Sequence, residues 1–230
     1  MQGKENDNMC CGQACDECPC QNGGPCMSGM SSMCGAGMTS EFKNATIGRH
    51  VDDFELESFH EDKIKKIRLS DYTDKWVVLF FYPADFTFVC PTELEDMADY
   101  YEKFQALGAE ILSVSTDTVY VHKAWHDASD AIKKVKFPML ADPAHELCKF
   151  YNVLIGDEGV SLRGTFIIDP DGILRGMEVN DNSIGRNAKE LYRKLQAAKF
   201  VRENGGNVCP AKWEPGEETL TPSIELVGKI

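Results

Sequence analysis

From about Thr46 onward, short apolar runs alternate with longer stretches in which apolar residues recur every three or four positions. The runs at Trp76 to Tyr82, Glu110 to Thr116, Gly164 to Asp169 and Ile173 to Val179 predict strands. Helical spacing predicts helices over Cys90 to Leu107, Val119 to Val135, Pro143 to Phe150 and Ala188 to Phe200. Val77-Val78-Leu79-Phe80-Phe81 contains no polar side chain, as a buried strand requires. The alternation predicts an α/β domain with a central mixed sheet covered by helices on both faces. Residues 43–230 suit one domain of this kind, with 200–230 as a C-terminal tail. Asp169-Pro170-Asp171-Gly172 is a turn between two strands rather than a metal loop, with Gly172 where a positive φ is tolerated.

The first 42 residues form a separate segment, since Met1 to Met38 show no apolar periodicity. Seven of the ten cysteines lie there, Cys10, Cys11, Cys15, Cys18, Cys20, Cys26 and Cys34, spaced by glycine and serine. Such a composition buries no core and predicts disorder without a ligand. Cys15-x-x-Cys18-x-Cys20 has tight soft-ligand spacing that suits Zn²⁺, Cu⁺ or an iron–sulfur cluster. The spacing matches no standard zinc or ferredoxin run, and the segment lacks histidine, so a thiol-rich tail without a fixed metal is the competing expectation.

A formal net charge of −13 and a sequence pI near 4.8 disfavour nucleic-acid binding. No apolar run reaches membrane-span length, and the start of the chain has no apolar signal core, so a cytoplasmic location is expected. There, cysteines in a helix and a tail read as redox-cycling thiols rather than structural bridges. Cys148 is expected to be a half-buried helix residue without chemistry. Tyr120, Trp125 and His126 form an aromatic helical stripe for packing.

Two Val-Cys-Pro tripeptides, at Cys90 and Cys209, carry the chemistry and point to a two-cysteine redox cycle. A free thiol has a reference pKa near ~8.5, and a helix N-terminus or an arginine favours its reactive anion. Cys90 falls between a buried strand and a predicted helix, with Pro91 suited to a first turn because it needs no amide donor there. Thr87, three residues upstream, can bring a hydroxyl to the sulfur, and Pro83 closes the loop without competing for hydrogen bonds.

The pattern Pro83-x-x-x-Thr87-x-x-Cys90 matches the signature of the peroxiredoxins, and Phe80 to Leu94 closely resembles their typical two-cysteine class. Ser113 to Asp117, His122 to Trp125, Leu162 to Asp169, Val208 to Trp213 and Pro222 to Ile230 extend the resemblance, which is to the alkyl hydroperoxide reductase C group and runs from about Thr46 to Ile230. It implies a thioredoxin fold, a peroxidatic Cys90, a resolving Cys209 and no cofactor for the peroxidase chemistry. Thr87 and Arg163 would polarise the peroxide, Pro83 would shield the pocket, and Glu93 would hold Arg163 and a second arginine, Arg186. The resemblance also implies hydroperoxide substrates, an intersubunit Cys90–Cys209 disulfide and a dithiol donor, thioredoxin or a flavoprotein disulfide reductase. A homodimer assembling into a ring, a decamer, is expected as well. The alternative role is non-enzymatic: a peroxide-sensing relay or a ring-shaped holdase chaperone.

Overall fold

The structure, a computed structural model, describes residues 44–229; the cysteine-rich segment and its expected metal ligands lie outside them. The strands are β1 (Glu55–His60), β2 (Lys63–Arg68), β3 (Trp76–Phe81), β4 (Ala109–Ser115), β5 (Met139–Ala141), β6 (Leu154–Ile155), β7 (Val160–Ser161), β8 (Arg163–Ile168) and β9 (Leu174–Asn180). The α-helices are α1 (Cys90–Ala106), α2 (Val119–Ala128), α3 (Glu146–Phe150) and α4 (Ala188–Glu203). Seven strands form one mixed sheet in the order β2-β1-β5-β4-β3-β8-β9, and β6 and β7 pair separately.

All of β3 is buried, with β4 parallel on one side and β8 antiparallel on the other. Trp76, Val78 and Phe80 enter one apolar cluster with α1, Trp125 of α2, and Leu191 and Leu195 of α4. Val77, Leu79 and Phe81 enter another with Leu147 and Cys148 of α3. Two-residue periodicity thus lets one strand serve two cores. Tyr82, just past β3, joins the first cluster together with Cys90.

Several boundaries differ from the sequence expectation. The helix expected over Val119 to Val135 ends at Ala128, where Ser129 turns extended (φ −110°, ψ 122°), and Ile132–Lys134 forms a separate 3₁₀ turn. The helix expected from Pro143 starts only at Glu146, after His145 takes a left-handed φ of 59°. Asp142 caps it by accepting the amides of Glu146 and Cys148 at 2.9 and 2.8 Å. β1, β2, β5, β6 and β7 were not expected. Cys148 is fully buried rather than half-buried, and burial with the Asp142 carboxylate pushes its thiol far up. Trp125 packs inside as expected, but Tyr120 points to solvent. Gly172 does take a positive φ, 77°.

Beyond α4 the tail doubles back, with Val208 and Leu220 bridged antiparallel. Trp213 is buried, its ring 4.9 Å from that of Phe200, and its carbonyl accepts from Arg193 Nη1 at 2.9 Å.

Candidate active site

The buried strand β3 delivers the chain to a short loop, Pro83 to Val89, and Cys90 opens the 17-residue helix α1. Pro83 is buried, and Thr87 Oγ1 donates to the Ala84 carbonyl at 2.9 Å, closing the loop on itself. Pro91 occupies the first turn as its chemistry suggests, and no side chain caps this helix end. Cys90 therefore sits at the positive end of the helix dipole, wholly buried.

Arg163, first residue of β8, aims Nη1 at Cys90 Sγ (3.5 Å) and at Glu93 Oε2 (2.6 Å), while its Nε donates to the Asn182 carbonyl at 2.9 Å. Glu93, one turn along α1, also accepts from Arg186 Nε at 2.8 Å and Nη2 at 2.9 Å, and from the Arg186 amide at 2.8 Å. Burial opposes ionisation of Glu93, but the hydrogen bonds and charge of Arg186, with Arg163, outweigh it and hold the carboxyl below its ordinary range. Both guanidiniums and the carboxylate are almost fully enclosed. Two cations and one anion leave one positive charge uncompensated, and buried charge demands a partner. The Cys90 sulfur lies against this cluster, 3.5 Å from Arg163 Nη1, and the exposed Asp181 carboxylate also feels the charge of Arg163.

Arg186 is fixed on every side. Its Nη1 donates to the Gly164 carbonyl (2.8 Å) and Thr165 Oγ1 (3.0 Å), and its guanidinium carbon lies 3.4 Å from the centre of the Phe80 ring. Phe80 and Thr165 have no motif of their own; their sequence signal was only that of buried strand residues.

A second polar cluster, missed in the sequence, lies beneath the same loop. Asp85 Oδ1 accepts from the Tyr82 hydroxyl at 2.7 Å, and Oδ2 meets His122 Nδ1 at 2.8 Å, both side chains of this pair being fully enclosed. Burial raises the Asp85 carboxyl despite the opposing His122 contact. His122 Nε2 faces the Leu140 carbonyl at 3.1 Å and so carries a proton, and the Asp85 amide donates to Asp117 Oδ2 at 2.8 Å.

Cys90, Glu93, Arg163 and Arg186 thus converge, with Pro83 and Thr87 in the adjoining loop. Cys209 does not join them within one chain. It lies in the tail against α4, its Sγ 3.9 Å from the Ala197 carbonyl, and it lines a cavity of about 850 Å³ between β9, α4 and the tail. Burial raises its thiol, with Arg193 opposing. Cys90, Cys148 and Cys209 are all free thiols. Asp62, His126 and Asp127 cluster at the surface with ligand-type atoms within 4.8 Å, and Lys123 already neutralises Asp127 at 2.6 Å.

A helix-flanked mixed sheet with an enclosed thiol at the head of its first helix defines the peroxiredoxin form of the thioredoxin fold, a class of thiol peroxidases. Residues 47–177 match the AhpC/TSA family and residues 197–229 the C-terminal domain of 1-Cys peroxiredoxin, and the chain belongs to the AhpC/TSA family. It is 50% identical over 184 residues to alkyl hydroperoxide reductase C of Bacillus subtilis, spanning 80% of this chain and 98% of the relative. A crystal structure of Enterococcus faecalis AhpC superposes with a TM-score of 0.70 at 48% identity, covering 72% of this chain and 99% of that one. A reduced 2-Cys peroxiredoxin of Plasmodium vivax superposes with a TM-score of 0.75 at 35% identity, covering 78% and 94%.

Proposed function

We propose that the chain reduces hydrogen peroxide and organic hydroperoxides by a two-cysteine cycle, with Cys90 peroxidatic and Cys209 resolving. The observation that carries this is the Arg163 Nη1 contact with Cys90 Sγ inside the buried Arg163–Glu93–Arg186 cluster. The Cys90 thiolate attacks the terminal peroxide oxygen, the O–O bond breaks, and water or an alcohol leaves once protonated. Arg163 stabilises the anion, Thr87 and Arg163 orient the peroxide, Pro83 shields the pocket, and Glu93 and Arg186 hold Arg163 in place. The resulting Cys90 sulfenic acid condenses with Cys209, releasing water and forming a disulfide. An external dithiol, thioredoxin or a flavoprotein disulfide reductase, then supplies two electrons. No cofactor takes part.

Cys209 comes from a second copy in this reading. β9 ends the sheet with an open edge, and Met177 and Val179 on it are exposed, which suits pairing with another chain. Exposed Phe86 and Phe88 on the peroxidatic loop, and Tyr120 exposed on α2, suit further assembly into a decameric ring. A cytoplasmic location fits a cycle based on reduced thiols. Residues 1–42 act as a separate cysteine-rich extension that binds a soft metal when reduced; equal, near-zero zinc, copper and iron in full-length and truncated protein after anaerobic reconstitution would remove that part.

The test is donor-coupled peroxide consumption. Cys90→Ser is expected to abolish turnover, while Cys209→Ser should consume one equivalent and stall. Oxidised protein lacking residues 1–38 should run as a disulfide-linked dimer on non-reducing gels, and a purely monomeric band would sink the intersubunit pairing.

A further inference from the structure

The tail that carries Cys209 leaves α4 through Asn204-Gly205-Gly206. Of the asparagines among the described residues, Asn204 alone is followed by glycine. The side-chain carbonyl of an asparagine is an electrophile within reach of the next backbone nitrogen, and the side chain of the following residue is the usual obstruction. Here there is none. Asn204, Gly205 and Gly206 are all exposed, and a Cβ at either glycine would meet nothing within 4 Å. No acceptor among the described residues holds the Gly205 amide. The helix has also ended, since Asn204 sits at φ −121° and ψ 61°, so no helical ladder keeps the nitrogen from the side chain.

We propose that Asn204 is a site of spontaneous deamidation, a slow, one-way chemical mark on the joint between α4 and the Cys209 tail. The Gly205 nitrogen attacks Asn204 Cγ and the new C–N bond closes a five-membered succinimide. Nδ2 leaves as ammonia, taking the proton of the Gly205 amide. Water then opens the ring at either carbonyl, giving aspartate or isoaspartate, and in the latter the backbone runs through the former side chain. Ring closure requires rotation about the Asn204 Cα–C bond, which two glycines without neighbours do not resist. The chain and water are the only reactants, and nothing in the step depends on which thiol is peroxidatic or resolving.

The mark falls on a bond that holds the helix end. Asn204 Nδ2 donates to the Phe200 carbonyl at 3.0 Å, beside the Asn204 amide at 2.9 Å, and the two together close the last turn of α4. The carboxylate that replaces the amide has no proton to donate, and it brings negative charge to the negative end of the helix dipole. Phe200 is also the residue whose ring packs against Trp213 of the tail. Loosening this turn therefore reaches past α4 into the segment around Cys209, and isoaspartate, with a longer backbone, carries the change further.

The test ages the full, reduced chain in mildly alkaline buffer, with a free peptide of the sequence Arg202 to Val208 beside it as a clock. Peptide mapping by mass spectrometry reads the gain of one mass unit at Asn204, and enzymatic methylation of isoaspartyl groups reads the isomer. Conversion at Asn204 is expected on the time scale of the peptide. Gly205→Ala, whose Cβ has open space around it, should fold normally and lose the conversion. Asn204→Asp, which is one of the two products, should speed amide hydrogen exchange about fivefold in the last turn of α4 and over Val208 to Trp213, with β3 unchanged. An Asn204 still intact after the peptide has turned over, or conversion at the same rate in Gly205→Ala, overturns the site. Unchanged exchange in Asn204→Asp overturns the effect on the tail.

Discussion

The guanidinium of Arg186 rests on the face of Phe80, its central carbon 3.4 Å from the ring centre. Arg186 makes no hydrogen bond to Cys90; it grips Glu93, which in turn grips Arg163. A buried strand residue thus acts on the sulfur at third hand, by fixing the plane in which Arg186 offers its donors.

Phe80→Leu retains an apolar side chain but removes the π-face, at a cost of about 2 kcal/mol for a desolvated cation–π contact. The expected outcome is lower stability in urea together with a several-fold loss in the second-order rate with peroxide. A stability loss with an unchanged rate would mean that Arg186 keeps its aim without the ring.

Arg163→Gln removes the one cation among the described residues that is hydrogen-bonded to the sulfur, and a loss of about 10²- to 10³-fold in kcat/KM for peroxide is expected, as for an oxyanion donor. Arg163→Lys should recover little of it. A single ammonium on a flexible stem cannot serve Cys90, Glu93 and the Asn182 carbonyl in the fixed plane that the guanidinium provides. Competition kinetics against a second peroxidase measure both variants.

Glu93 ties acid stability to the same cluster. Its carboxyl is held below the ordinary value of 4.5 in the fold, because Arg186 and Arg163 overcome the opposing effect of burial. A depressed folded value gives stability that is complete above the unfolded value and is lost as pH falls through the folded one. Glu93→Gln should accordingly be less stable at neutral pH and converge with the unsubstituted chain in acid. Urea midpoints measured downward from about pH 7 to about pH 3 should show the gap closing.

Resolution should also gain from rising pH, but in an alkaline range. Burial raises the Cys209 thiol above its ordinary 9.0, with Arg193 pulling the other way, so the attacking thiolate is scarce at neutral pH. Disulfide formation after a peroxide pulse should accelerate with pH and still be rising at 9.0. A plateau already reached at neutral pH would show that the tail meets a more polar setting when it attacks.

The parts of the fold legible in the sequence are those whose pattern reflects burial. β3 has an unbroken apolar run, and α1 shows Leu94, Met97, Tyr101 and Phe104 on one face, all buried. β2 was illegible because Lys63, Lys65, Lys66 and Arg68 crowd an edge strand that is held by its ladder with β1 rather than by a core. α2 was overextended because Ile132 and Val135 keep the helical spacing across the break at Ser129, and both are buried from a different element. At the site, Cys90 and Arg163 stood out through their motifs. Asp85 and His122 did not, since they are 37 positions apart and each alone reads as a loop acid or a helix-face histidine. Their pairing exists only once β3, α2 and β5 are assembled.

The surplus positive charge of the Arg163–Glu93–Arg186 cluster has a thermodynamic consequence for the proposed cycle. In the proposed cycle the reacting form of Cys90 is the thiolate, and that anion offsets the surplus charge while the pocket is closed. Oxidation to sulfenic acid neutralises the sulfur while both guanidiniums remain enclosed, so the same geometry that favoured the substrate-ready state becomes an unscreened cation in a low-dielectric interior. In the proposed cycle, peroxide reduction would thereby discharge its own pocket and favour the entry of water, a chemical push toward the opening that the second cysteine would require.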